Sequence, residues 1–128
     1  SGAQHVDRFV ALAPSVNGTS IAKTPDRNQV EYCVACADQH PRSALLRELK
    51  TGPIAMPNVQ YSVLVTKNDK VVVPVENQFV KEPGVQNIYI QDLLPGKRVS
   101  HSGMLYDTET LDLIVKLVQG QSLQTASN

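Results

Sequence analysis

Cys33-Val34-Ala35-Cys36 is the spacing in this chain with the most familiar chemistry. A C-x-x-C at a helix N-terminus or tight turn can be a redox pair or half of a zinc site. Here it lies in an alternating, β-branched run, 29–37. Residues three apart in a strand point to opposite faces, so the thiols would neither pair nor share a metal. No second C-x-x-C exists, and His5, His40 and His101 are dispersed. The expectation is therefore no metal and no cofactor, with the cysteines buried or bridging between chains.

His40 beside Pro41, and His101 between Ser100 and Ser102, are candidate bases, but no orienting acid stands near either in sequence. A site assembled from His101, Asp107 and a cysteine is the catalytic alternative. The sequence has no G-x-S-x-G elbow, no paired carboxylates and no phosphate-cradling loop among its seven scattered glycines. Such loops and elbows carry phosphate and acyl chemistry through their backbone geometry. The expectation is a protein that is not an enzyme.

The basic residues fall in local groups: Arg42, Arg47 and Lys50, then Lys67 and Lys70, then Lys97 and Arg98. Twelve basic residues are cancelled by twelve acidic ones. A free nucleic-acid-binding domain is usually basic, because phosphate contacts supply most of its affinity. A nucleic-acid role would rest on a local patch, or on avidity from many copies.

The elements that would position these groups read mainly as short strands. Residues 6–13 are a mostly apolar strand, Asn17-Gly18 is a hairpin signal, and 19–24 return. Residues 29–37 form a third strand and 43–50 a fourth, although Leu45, Leu46 and Leu49 sit at helical spacing. Residues 59–67 alternate cleanly, Asn68-Asp69 turns, and 70–75 run back to Pro74, which suits an edge. A loop over 77–86 is followed by strands at 87–94 and 98–106. The period then changes. Asp107 or Thr108 can N-cap a helix in which Leu111, Ile114, Val115 and Val118 recur at i, i+3, i+4 and i+7. Its apolar surface is wider than one small sheet would cover, so a partner subunit at these four residues is expected.

At 128 residues this is one domain, 1–128, with a core of Val, Leu, Ile and Ala, since Trp is absent and aromatics are 5%. No stretch reaches the 18 or more apolar residues of a membrane span. No signal peptide precedes Ser1, which makes the cytoplasm the expected compartment.

In this order the segments resemble the coat proteins of single-stranded RNA bacteriophages, the levivirus group. Residues 8–12 through Asn17-Gly18 to 20–22 resemble that family's opening hairpin. Val30-Glu31-Tyr32 resembles its third strand, and Arg42-Ser43-Ala44 with 60–65 its central strands. Residues 111–116 with Gln119-Gly120 resemble its first C-terminal helix. The resemblance implies an α+β fold: an N-terminal β-hairpin and an antiparallel sheet of about five strands, followed by a C-terminal helix clamped on a partner in an interlocked dimer. It implies a capsid protein that assembles into an icosahedral shell in the bacterial cytoplasm and packages single-stranded RNA in the virion. By similarity, RNA would be met by Arg47, Gln60, Ser62, Lys97 and Arg98, and a translational-repressor RNA hairpin could bind the same face. The alternative expectation is a small cytoplasmic protein–protein interaction module without nucleic acid.

Overall fold

The computed structural model describes residues 2–22 and 34–123. It contains one three-stranded sheet, β1 (Arg8–Leu12), β2 (Gln60–Val65) and β3 (Val85–Tyr89), in spatial order β1-β2-β3. Both pairings are parallel. Phe9 stands opposite Tyr61 and Leu12 opposite Leu64, while Val63 faces Asn87 and Val65 faces Tyr89. The helices are α1 (Val34–Asp38), α2 (Ala44–Leu49), α3 (Ile90–Leu93) and α4 (Thr108–Val118). Short 3-10 turns lie at Gly2–His5, Val75–Gln78 and Ser102–Leu105.

This overturns the antiparallel hairpin-and-sheet expectation. Parallel neighbours need long crossovers, and residues 13–59 and 66–84 supply them. Parallel sheets are covered on both faces, so their strands read as continuous apolar runs. Val63, Leu64 and Val65 are each at most 2% exposed. Leu64 packs on one side with Ala13, Ile88, Ile90, Val99, Met104, Leu113 and Leu117. Val63 and Val65 pack on the other with Val80, flanked by Ala11, Ile54 and Phe79.

Individual segments are corrected in the same sense. Asn17-Gly18 does not make a hairpin. Gly18 has φ +77° and lies so close to Gln39 and Pro41 that a Cβ would meet their backbone at 2.7–2.8 Å, a turn only glycine fits. Residues 44–49, expected as a strand, are α2, capped by the Ser43 hydroxyl accepting from the Leu46 N–H. Here local helical propensity prevails over the layout borrowed from the resemblance. Residues 70–74 are irregular, with a cis Val73–Pro74 peptide, and Val75 opens a 3-10 turn. Residues 90–93 are helical and 102–105 are a 3-10 turn, where strands were expected. Cys36 lies in α1 and is disulfide-bonded, so the strand geometry that would keep the thiols apart does not apply. Cys33 and the rest of 23–33 lie outside the described residues, as do 124–128.

The C-terminal helix is where its periodicity placed it. Asp107 caps it by accepting from the Thr110 N–H. Thr110, Leu113 and Leu117 face the core. Among the described residues, no helix is long and apolar enough to cross a membrane.

Candidate active site

Thr66 is the first residue past β2, and it is fully buried. Its hydroxyl donates to the Val99 carbonyl at 2.7 Å, tying the end of β2 to the segment that carries His101. Gln91 reinforces the tie. Its Nε2 donates to the Thr66 hydroxyl, the Asn68 side chain and the Lys97 carbonyl, and its Oε1 accepts from the Lys67 N–H. The turn closes with the Asp69 N–H donating to the Thr66 carbonyl. Asp69 and His101 are 32 residues apart in sequence, and this web brings them together.

His101 Nδ1 lies 2.7 Å from Asp69 Oδ2, with the carboxylate fully buried and the imidazole 31% exposed. Asp69 Oδ1 accepts from the N–H groups of Val71 (2.7 Å) and Val72 (3.0 Å). Oδ2 also accepts from Gln78 Nε2 at 3.0 Å. Burial works to raise the Asp69 pKa. The hydrogen bond from His101, the Val71 and Val72 N–H groups and the His101 charge outweigh it, leaving the carboxyl below its ordinary value of 3.8. An ionised carboxylate can only accept, so Nδ1 carries the proton it shares with Asp69.

The loop after β1 braces the acid. The Thr19 hydroxyl donates to the Val71 carbonyl and accepts from the Val73 N–H. Asn17 Nδ2 donates to the carbonyls of Asn77 and Phe79, and Asn77 Nδ2 to that of Gly18. Both dyad residues follow the carboxyl ends of parallel strands, where open α/β sheets hold their ligands. Past β1, Val16, Leu45, Leu46 and Leu49, together with Asp38 and Gln39, line a mostly apolar groove of about 380 Å³.

The depressed pKa makes Asp69 a source of pH-dependent stability. Because its folded pKa lies below the unfolded one, its contribution is present above about pH 4 and is lost as pH falls through the folded value. The stability difference between wild type and Asp69→Asn in urea melts should therefore be full at pH 6 and shrink steadily below pH 4. A difference that does not change with pH would contradict this assignment.

Asp107, the acid of the catalytic alternative, is engaged elsewhere. It caps α4 and pairs with Lys97 Nζ at 2.6 Å. Lys97 also pairs with Glu109. Of the residues assigned to RNA, Lys97 is thus in an ion pair, Arg47 lies on α2, Gln60 and Ser62 begin β2, and Arg98 is an exposed loop residue. Gln60 accepts from Arg8 Nε. The five are spread over a helix, the amino end of a strand and a loop. Of the four α4 residues expected at a partner, Leu111, Val115 and Val118 are exposed, while Ile114 packs against the core. Asp69 and Gln78 were not singled out from sequence. The signal available was an acid at the exit of a Val-rich strand, followed by a histidine just ahead of a helix.

No family model matches the chain, and no curated protein matches it. Among solved structures, Aspergillus fumigatus lipase B is similar, with a TM-score of 0.69 at 19% identity over 97% of this chain and 32% of that one. The chain thus spans about a third of the length of the lipase it matches. The parallel sheet and this likeness overturn the resemblance to phage coat proteins, and with it the capsid, virion and RNA-binding expectations. The fold of the described residues is similar to that of the part of the lipase they match.

Proposed function

We propose that this chain carries the acid and the base of a hydrolase site that cleaves esters with an apolar acyl portion. The observation that carries the reading is the bond between His101 Nδ1 and the buried Asp69 carboxylate. In α/β-hydrolases the triad runs Ser, then Asp or Glu, then His along the chain. Asp69 and His101 keep that order. Among the described residues, the side-chain hydrogen bonding of His101 runs to Asp69 alone, so the hydroxyl it activates comes from another segment or from water.

The chemistry follows from the tautomer. Nε2 takes the proton of the attacking hydroxyl as its oxygen adds to the acyl carbon. Asp69 stabilises the imidazolium so formed, and Nε2 returns the proton to the departing alcohol. The groove beside Leu45, Leu46 and Leu49 suits an apolar acyl chain. The lipase likeness supports the same class of reaction.

The test is hydrolysis of p-nitrophenyl butyrate by the chain and by His101→Ala. A rate above buffer that the variant loses supports the reading, whereas equal rates for the two proteins sink it.

A further inference from the structure

Gln78 is fully buried at the end of the 3-10 turn that follows the acid loop. Its Nε2 donates to two acceptors, Asp69 Oδ2 and the Val72 carbonyl, each at 3.0 Å. Its Oε1, equally buried, has no hydrogen-bond partner among the described residues. The amide orientation is dictated by these neighbours. Turned over, Oε1 would face a carboxylate oxygen and a carbonyl oxygen, both acceptors only. A core position that needed only bulk would take Met or Leu and leave no orphan acceptor.

We infer that Gln78 is the positioning residue of the Asp69–His101 dyad, acting through its amide N–H rather than its volume. Val71 and Val72 hold one carboxylate oxygen from the backbone. Among the described residues, Gln78 supplies the one side-chain donor besides His101 to the other oxygen. Two fixed oxygens leave the carboxylate no freedom to rotate away from Nδ1. A donor on the charged form also favours ionisation, so Gln78 keeps Asp69 an acceptor and the Nδ1 tautomer in place. The catalytic meaning of this role rests on the proposed dyad, but the hydrogen-bond role does not.

The test replaces the N–H at constant size. In Gln78→Met the Asp69 carboxyl, followed by carbon-13 NMR, should titrate higher than in wild type. The low-field Nδ1 proton of His101 should broaden through faster exchange with water. In the ester assay kcat should fall several-fold with KM unchanged. Where Gln78→Met does not fold, Gln78→Leu serves, since it likewise lacks the amide N–H. A folded variant whose Asp69 titration and His101 proton match wild type would overturn the inference and leave Gln78 a packing residue. If the titration moves as expected but no variant hydrolyses ester, the positioning role stands and the hydrolase reading falls.

Discussion

Asp69→Asn should lower His101-dependent ester hydrolysis by about 10²–10⁴-fold while leaving the chain folded at neutral pH. The argument is one of hydrogen-bond polarity. The Val71 and Val72 N–H groups need an acceptor, so an asparagine would place its oxygen there. Its NH2 would then occupy the Oδ2 position and donate to His101 Nδ1. That forces the ring proton onto Nε2 and removes the base. Gln78 Nε2 would meet the same NH2, donor against donor, and could not correct the tautomer without turning its oxygen onto the Val72 carbonyl. Rates of p-nitrophenyl butyrate hydrolysis for wild type, Asp69→Asn and His101→Ala make the measurement. If Asp69→Asn hydrolyses as fast as wild type while His101→Ala is inactive, the histidine works without this carboxylate.

Leu64→Ala should cost about 2–5 kcal/mol of folding stability, a large part of the 5–15 kcal/mol typical of a domain. Leu64 is fully buried on the central strand, facing the cluster that contains Ile88, Ile90, Leu113 and Leu117. Strands lie on both sides of it, and its own carbonyl accepts from the Ala13 N–H. The backbone around the lost methyls is thus pinned by ladder bonds and cannot collapse into the space. Urea unfolding followed by circular dichroism reads the effect. A loss below about 1 kcal/mol would mean that this face repacks freely, contrary to the rigid-sheet argument.

The C-terminal helix was legible in the sequence because three signals agree there. Asp107 caps it, the apolar residues recur at helical spacing, and Gly120 follows its last turn. Residues 60–65 were legible as a strand, but its topology was not. Tyr61, Val63 and Val65 alternate with Ser62 and Thr66, which mimics a strand with one wet face. Leu64, set between them, is the residue that shows both faces to be dry. Strand direction is decided by crossovers, and the described parts of the long first crossover are mostly irregular, so no periodicity marks them.

The dyad escaped sequence reading for a related reason. Asn68-Asp69 has turn chemistry, and His101 sits between two serines, as a surface histidine would. What joins them is Thr66 reaching Val99, 33 residues on, and Gln91 reaching Thr66, 25 residues back, contacts between distant segments that no local pattern announces. Asp107 lies nearer to His101 in sequence, but its capping and pairing with Lys97 take it out of contention.

Outside any ladder, the acid loop is held by single bonds: Thr19, Asn17, Asn77, Gln78 and Gln91 side chains each bond to backbone carbonyls, and the Ser20 and Asn17 N–H groups donate to the Val73 and Asn77 carbonyls. Such bonds yield to water one at a time, whereas a buried parallel ladder opens only with its neighbours. Local opening of the loop therefore requires less free energy than unfolding of the sheet. The geometry of Asp69 and His101 is thus governed by its own equilibrium, so a population of molecules can keep an intact sheet and still hold a dyad that is momentarily apart.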